Sequence, residues 1–210
     1  MKHLLFLALL LLSFNLFSQG KKAYYYDQNF TPLSEKDFWK DKDISKRLHL
    51  SYDVDTAKIF VKVTREQRGR IHVDSLKLLK RDLEISTNYP IDSTHLIVID
   101  YYPGKDPCNS GGTQDRTAIK NDHKSYLSKL HSLAPISQFY IYCLKEGLER
   151  YKGIYNWKPD LNNRIENTFF QLHYPCGSLV VIRPDGLFVT WYGEYSNQQV
   201  WDYVKELRKK

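Results

Sequence analysis

The pattern of hydrophobic and polar positions along the chain predicts alternating strands and helices. Residues 95–102 form the strongest predicted strand, because the apolar run at its centre has no polar interruption, which is typical of a strand buried on both faces of a sheet. Residues 138–144 show the same kind of run. Leucines at positions 76, 78, 79 and 83 form an apolar stripe and predict a helix from about residue 74 to residue 86.

The remaining segments complete a series of elements. Residues 58–64 are rich in β-branched side chains and predict a strand, and the arginine-rich stretch 65–70 is interpreted as the turn after it. A Pro-Asp-Gly turn at 184–186 connects two strands in an apparent β-hairpin. Further strands are predicted at 23–26, 49–52, 178–182 and 187–192, and further helices at 34–39, 116–133, 161–172 and 197–207.

From residue 57 onward the predicted order is strand, helix, strand, helix, strand, helix, strand, strand, helix. Strands separated by helices favour parallel crossovers, whereas the terminal hairpin adds an antiparallel pair. The pattern therefore predicts an α/β fold with a mixed central sheet flanked by helices on both faces. Residues 19–56 are interpreted as an N-terminal extension packed on a domain at 57–210.

Residues 1–18 have the features of a secretory signal peptide. Met1, Lys2 and His3 give a short basic start, an apolar run of 14 residues follows, and Ser18 is a small residue at the cleavage position. The run is shorter than the roughly 20 residues that a transmembrane helix needs. We therefore expect cleavage near Ser18 and an exported protein, periplasmic or secreted, with no transmembrane segment in the mature chain.

Composition and charge exclude several classes of protein. With 42% hydrophobic and 14% aromatic residues, the chain does not have the composition of a disordered protein. The net charge of +7 comes mostly from scattered lysines and arginines without a nucleic-acid-binding motif, so no nucleic-acid partner is expected, while a protein partner is left open. No phosphate-binding, dinucleotide-binding or zinc-protease motif occurs, and no cofactor is predicted.

The three cysteines gain meaning from the predicted export. Cys108, Cys143 and Cys176 would meet an oxidising compartment, in which one pair is expected to form a disulfide. The count is odd, so one thiol is left over. The residues alone do not decide which one.

Two stretches resemble the thioredoxin-like superfamily. LIVIDYYPGKDPC, at 96–108, is similar to the family's second strand and redox loop, which follow the form V-D-F-x-A-x-W-C-x-x-C. HYPCGSLVVIRPDGLFVTWYGEYS, at 173–196, is similar to its cis-proline, fourth strand, Asp-Gly turn and fifth strand. The order of elements from residue 57 to residue 210 also matches. The resemblance implies a thioredoxin-like domain over that range.

The redox loop departs from the family pattern at the position that matters most. If Pro107 and Cys108 match the second half of C-x-x-C, then Lys105 stands where the attacking cysteine belongs. Thiol–disulfide exchange of that type needs one thiol to form the mixed disulfide and a second to resolve it. The chain is therefore expected to be a degenerate member without conventional thioredoxin activity. Lys105 and Asp106 are interpreted as solvated turn residues.

The resemblance also implies a pairing of the cysteines. It places Pro175 at the cis-proline position, and the cis-proline loop of the family lies against the redox loop. Cys108 and Cys176 are then the disulfide pair, and Cys143, in the middle of a predicted strand, is the buried spare. Such a disulfide would close a loop of 67 residues and stabilise the fold by about 4 kcal/mol.

Three hypotheses on function follow from these residues. The favoured one is a non-catalytic binding or structural envelope protein, in which the disulfide is structural. The alternative is an atypical thiol–disulfide or peroxide-related oxidoreductase that uses Cys108 with Cys176. The third is a metal-handling module in which His173, Cys176 and Cys108 are weak candidate ligands, because soft sulfur and imidazole ligands suit copper or an open zinc site.

The pairing of the cysteines is directly testable. Tryptic digestion of the unreduced protein is expected to yield one linked pair of peptides that contains Cys108 and Cys176, and Cys143 is expected as a free thiol. Mass mapping without reductant measures both. Free thiols at Cys108 and Cys176 would contradict the pairing.

Overall fold

The computed structural model describes residues 21–41 and 43–209. The predicted signal peptide lies outside these residues. The chain divides into two compact units between Val63 and Thr64, whereas the sequence predicted a domain boundary between residues 56 and 57. Among the described residues, no helix is both long enough and apolar enough to span a bilayer.

In its described residues, the N-terminal unit is a small sheet with one short helix. Its four strands have the order β2-β1-β4-β3, and β1 is parallel to β4 and antiparallel to β2. Phe38, on the helix, is fully buried, and its ring lies 5.2 Å from that of Tyr25 and 5.0 Å from that of His49. The elements are β1 (Lys22–Asp27), β2 (Pro32–Leu33), α1 (Glu35–Lys40), β3 (Arg47–Val54) and β4 (Ala57–Thr64).

The C-terminal unit contains a six-stranded mixed sheet with the order β5-β10-β9-β6-β7-β8. Its strands are β5 (Glu66–Arg70), β6 (Leu96–Tyr102), β7 (Ile136–Tyr142), β8 (Trp157–Pro159), β9 (Ser178–Ile182) and β10 (Leu187–Tyr192). Its helices are α2 (Val73–Thr87), α3 (Arg116–Leu133), α4 (Arg164–Phe169) and α5 (Asn197–Leu207). Strand β6 is parallel to β7 and antiparallel to β9. Strand β7 is also parallel to β8. Strand β10 pairs antiparallel with both β9 and β5.

Helices cover both faces of this sheet. Every residue of β6 and β9 is buried, as predicted for strands with a helix layer on each side. Val98 and Val181 pack in one cluster with α3 and α5, through Leu130 and Val204. Ile141 on β7 points to the opposite face, because side chains alternate along a strand, and it lies with residues of α2 and α4. The predicted α/β fold with helices on both faces of a mixed sheet is confirmed.

The edges of the sheet differ from the prediction. Residues 65–70 were interpreted as a turn, but β5 forms an edge strand against β10. Gly69 makes this pairing possible, because a Cβ there would lie 2.8 Å from the ring of Phe188 on the neighbouring strand. The strand predicted at 58–64 lies in the N-terminal sheet as β4. The other edge of the large sheet is occupied by β8, from a segment without a strand pattern.

The helix predicted at 161–172 is shorter than expected. Asn162 and Asn163 adopt left-handed backbone conformations, with φ of 58° and 50°, so α4 begins only after them. The N-cap position of α4 is Asn163, not Asp160 as the sequence predicted, because the helix starts three residues later than expected. Asp160 still contributes to the helix start, since its carboxylate accepts hydrogen bonds from the backbone N–H groups of Ile165 and Glu166 at 3.0 and 2.8 Å.

Asp82 connects α2 to the segment before α4. Its side chain is 3% exposed, and its Oδ2 accepts hydrogen bonds from Arg164 Nε at 2.9 Å and Asn162 Nδ2 at 3.2 Å. Burial raises the pKa of Asp82, but these hydrogen bonds and one from Arg81 together lower it below its ordinary value. The ionised form therefore stabilises the fold above the ordinary carboxyl pKa, and this contribution is lost as the pH falls through the lowered pKa.

Asp82→Asn is expected to lower the free energy of unfolding by about 1–3 kcal/mol at pH 7, because hydrogen bonds to a charged group are lost. The difference from wild type should begin to shrink below about pH 4, where the unfolded chain takes up a proton, and should disappear once the pH is below the lowered pKa of native Asp82. Urea unfolding at pH 7 and at pH 3 measures both. Asp74→Asn is the control, because Asp74 lies on the same helix with a side chain that is 71% exposed, and it should change little. Equal losses for the two variants would contradict this role of Asp82.

Candidate functional site

The Cys108–Cys176 disulfide joins two loops at one end of the central strands. Strands β6 and β9 are antiparallel neighbours, with Tyr101 opposite Ser178. The chain that leaves β6 therefore lies beside the chain that enters β9. The structure contains the disulfide that the resemblance implied, with Cα atoms 5.0 Å apart. Cys108 is exposed and Cys176 is half-buried.

Asp106 holds the same two loops together without the disulfide. Its side chain is only 8% exposed, and its Oδ2 accepts a hydrogen bond from the backbone N–H of Cys176 at 2.9 Å. Its Oδ1 accepts one from the backbone N–H of Asn109 at 2.8 Å, and His173 Nε2 lies 3.2 Å from Oδ2. The interpretation of Asp106 as a solvated turn residue is wrong, because its carboxylate is a structural acceptor between the loops.

Asn109 holds the loop that follows β6 through hydrogen bonds within it, and Tyr102, at the end of β6, holds the neighbouring segment at Glu146. The amide of Asn109 accepts from the backbone N–H of Asp106 at 2.9 Å and donates to the carbonyl of Gly104 at 2.8 Å. Tyr102 donates its hydroxyl hydrogen to the carbonyl of Glu146 at 2.8 Å. Lys105, at the position of the missing cysteine, forms an ion pair with Glu146 at 3.2 Å and is half exposed.

The turn into β9 is made differently from the family pattern. No peptide bond among the described residues is cis, so the bond before Pro175 is trans, and the cis-proline assignment is corrected. Cys176 instead adopts a left-handed conformation with φ of 70°. Gly177 follows with φ of 151°, at a point where a Cβ would lie 3.1 Å from the carbonyl oxygen of Tyr101. The reversal of the chain is thus accommodated by these two residues rather than by the proline bond.

A cavity of about 270 Å³ opens beside Cys176. Seven tyrosines and Trp157 line it, together with the carboxylates of Asp100, Asp122 and Glu194. Tyr126 and Tyr140 have buried bodies that belong to the core. The tyrosines come from separate parts of the sequence, because β6, β7, α3 and the segments around Trp157 and Tyr195 meet at this end of the sheet.

Asp100 lies within the buried strand β6 and is 7% exposed. Its carboxylate accepts hydrogen bonds from the hydroxyl of Tyr195 and from Nε2 of Gln138. Tyr126 in turn donates to Oε1 of Gln138 at 3.1 Å. Burial raises the pKa of Asp100 to about 6, and the hydrogen bonds limit this rise. Sequence reasoning did not single out Asp100, although a lone acidic residue in an apolar strand was the signal for it.

His123 borders the cavity in a low-polarity environment. Its Nε2 lies 2.9 Å from the hydroxyl oxygen of Tyr140, and its ring centroid lies 4.3 Å from that of Tyr155. Burial lowers the pKa of His123, which favours the neutral imidazole at neutral pH.

Cys143 is the free cysteine, as the resemblance implied. It was placed mid-strand and buried, but it follows the last residue of β7 and is half-buried. Its thiol lies 3.5 Å from Oε2 of Glu166. Burial and the nearby carboxylate raise its pKa, which lowers the fraction of reactive thiolate.

The side chains that lie close enough together to share a metal ion differ from the predicted ligand set. Within the described part of the chain, the atoms of Cys108, Cys176 and Glu194 lie within 4.8 Å of one another. His173 is placed against Asp106 and does not belong to this group. The two sulfurs are bonded to each other, so they are not thiolate ligands in this state.

Comparisons with known proteins add little to this description. No family model matches the chain, and no curated protein matches it. Among solved structures, the chain is similar to a secreted disulfide oxidoreductase of Mycobacterium tuberculosis that is homologous to E. coli DsbE, with 11% identity and a TM-score of 0.36 over 54% of this chain and 83% of that one. Likeness at this level carries no functional argument.

The titration of Asp100 gives a stability signature. The native state keeps this proton up to about pH 6, whereas an unfolded aspartate releases it near pH 4. The native state therefore binds more protons between these values, and stability falls as the pH rises through them, by on the order of 3 kcal/mol.

Asp100→Asn is expected to lack this loss of stability with rising pH. The difference in unfolding free energy between variant and wild type should therefore change by on the order of 3 kcal/mol from pH 4 to pH 7. Urea unfolding across this range measures it. Asp122→Asn, which removes an exposed carboxylate of the same cavity, should keep the wild-type slope. A parallel pH dependence in wild type and Asp100→Asn would contradict the assignment.

Proposed function

We propose that this thioredoxin-like protein performs thiol–disulfide exchange through the Cys108–Cys176 disulfide. The observation that carries the proposal is the position of this bond. Cys108 is exposed, and Cys176 borders the cavity that contains the buried carboxylate of Asp100. A disulfide that takes part in thiol–disulfide exchange needs a sulfur that the substrate thiolate can reach and a nearby group that can give or accept a proton.

Cys108 is the cysteine that a substrate thiolate attacks, because it is the exposed partner of the disulfide. A thiolate of a substrate dithiol attacks Cys108 Sγ, the Cys108–Cys176 bond breaks, and its electron pair passes to Cys176 Sγ, which takes a proton. The second substrate thiolate then attacks the substrate sulfur of the mixed disulfide and releases Cys108, which is protonated in turn. The substrate leaves as a disulfide and the protein keeps two thiols. A second disulfide compound restores the oxidised protein.

Asp100 is suited to the proton transfer at Cys176. Both residues line the same cavity, and a carboxyl group with a pKa of about 6 is able to give or accept a proton near neutral pH. The hydroxyl of Tyr195 and the amide of Gln138 keep the carboxylate oriented.

The absent C-x-x-C motif does not remove this chemistry. Lys105 occupies the position of the first cysteine, and Cys176, 68 positions after Cys108, supplies the second sulfur from the neighbouring loop. Asp106 binds the backbone of Cys176 independently of the disulfide. This hydrogen bond from the Cys176 backbone supports a site that keeps its geometry when the disulfide opens.

A non-catalytic structural role is the second candidate. It is favoured by the long chain segment between the two cysteines, since closing such a loop stabilises a fold by about 4 kcal/mol. In this case the disulfide supports a binding or structural protein of the cell envelope. Export after cleavage near Ser18 is part of both proposals, because an oxidising compartment keeps the disulfide formed.

Redox equilibration in glutathione buffers separates the two functions. We expect the disulfide to open and close reversibly while the circular dichroism spectrum stays native, and the oxidised protein to oxidise a dithiol peptide. Cys108→Ser and Cys176→Ser should abolish this reaction. In the Cys176→Ser variant, the Cys108 thiolate should attack oxidised glutathione, release one glutathione thiol and keep the other as a mixed disulfide that mass spectrometry detects.

Cys143→Ser is the matched control and should retain the reaction, because Cys143 is free and distant in sequence from the disulfide. A disulfide that is reduced only when the protein unfolds would overturn the exchange proposal and favour the structural role.

A further inference from the structure

The cavity beside Cys176 has a charge opposite to that of the protein. The chain has a net charge of +7. Within the part of the chain that the structure describes, however, three carboxylates and no lysine or arginine line this cavity. Asp122 lies at the exposed part of the lining, where its Oδ2 accepts a hydrogen bond from the neutral amide of Gln114 at 2.5 Å. Glu194 is also exposed and interacts electrostatically with Arg65. An opening of this kind attracts cations and repels anions.

The walls of the cavity are aromatic rings held in fixed positions by one another. The ring of Tyr155 lies 4.9 Å from that of Tyr140 and 5.3 Å from that of Tyr151, in edge-on arrangements. It also lies 4.3 Å from His123 and 6.1 Å from Trp157. The faces of such rings carry a negative quadrupole that attracts cations, and quaternary ammonium groups are bound by aromatic cages in this way.

At the inner end of the cavity, Asp100 has no positively charged partner. Among the described residues, only neutral groups donate hydrogen bonds to its carboxylate, from Tyr195 and Gln138, and no ion pair involves it. A buried carboxylate without a counter-charge is unfavourable. A cation inside the cavity would supply the missing partner.

We propose that this cavity is a binding site for a small alkylammonium ion, with the rings around Tyr155 on its sides and Asp100 as its counter-ion. The volume lies just below the range of typical ligand pockets, which fits an ammonium head group with a short chain. A primary ammonium donates hydrogen bonds to carboxylate and hydroxyl oxygens, whereas a quaternary ammonium relies on ring faces. The site shares Asp100 and this cavity with the proposed exchange reaction, but binding of a cation does not require the disulfide to open, so the inference goes beyond the exchange function.

Calorimetric titration of the oxidised full chain with three probes tests the proposal. Choline represents the quaternary ammonium, n-butylammonium the primary ammonium, and 3,3-dimethyl-1-butanol is the uncharged isostere of choline. We expect at least one cation to bind, and its affinity to exceed that of the isostere by roughly 3- to 30-fold. The cation that binds with the higher affinity shows whether the site prefers a quaternary or a primary ammonium group.

Two variants locate the site. Asp100→Asn should weaken binding of the cation by about tenfold, because a charge-assisted contact is lost, and Tyr155→Leu by about 3- to 30-fold. Tyr151→Leu is a second ring variant on the same wall, for use if Tyr155→Leu does not fold. Tyr89→Leu is the matched control, because Tyr89 is exposed and borders a different cavity, and it should bind as wild type does.

Three results would overturn the proposal: no binding of either cation at 10 mM, equal affinity for choline and its isostere, or unchanged affinity in the Asp100 and ring variants. Cys108→Ser should bind the cation as wild type does. A protein that fails in thiol–disulfide exchange but binds the cation therefore disproves only the exchange function, and the reverse result disproves only the cation site.

Discussion

The antiparallel pairing of β6 and β9 is the constraint on which the rest of the site depends. It places the chain that leaves Tyr102 beside the chain that enters Ser178, and so brings Cys108 and Cys176 together across 68 positions of sequence. It also sets Asp100 one residue before the paired end of β6, inside the sheet and next to the cavity. Because both strands are buried on both faces, neither can shift its register without exposing apolar side chains.

Most of the C-terminal fold could be predicted from local patterns. Uninterrupted apolar runs identified β6 and β7, and the Pro-Asp-Gly turn identified the hairpin of β9 and β10. The edges could not be predicted in this way, because edge strands bury little apolar surface and leave a weak pattern. Strand β5 contains no large apolar residue and two arginines among its five residues, and β8 has only three residues. Their positions are decided by pairing with a neighbouring strand, which is a tertiary interaction.

The site could be predicted in part. The odd cysteine count and the family resemblance led to Cys108 and Cys176, since both stretches carry recognisable neighbours in sequence. The role of Asp106 was missed, because a charged residue in a turn is usually solvated and its burial depends on a loop 70 positions away. The tyrosines that surround the cavity were not recognised as a group in the sequence. Their convergence on one cavity is a property of the assembled sheet and leaves no local signal.

The hydrogen bond from the Cys176 backbone to Asp106 has a kinetic consequence. Because this hydrogen bond uses the backbone N–H of Cys176 and not its sulfur, a substrate bound covalently to Cys108 in the proposed exchange would face the Cys176 thiol at a high effective concentration. Intramolecular attack then competes well with any slower reaction of the adduct. The covalent complex would be short-lived, and substrates whose second thiol reacts slowly would be returned unchanged rather than oxidised.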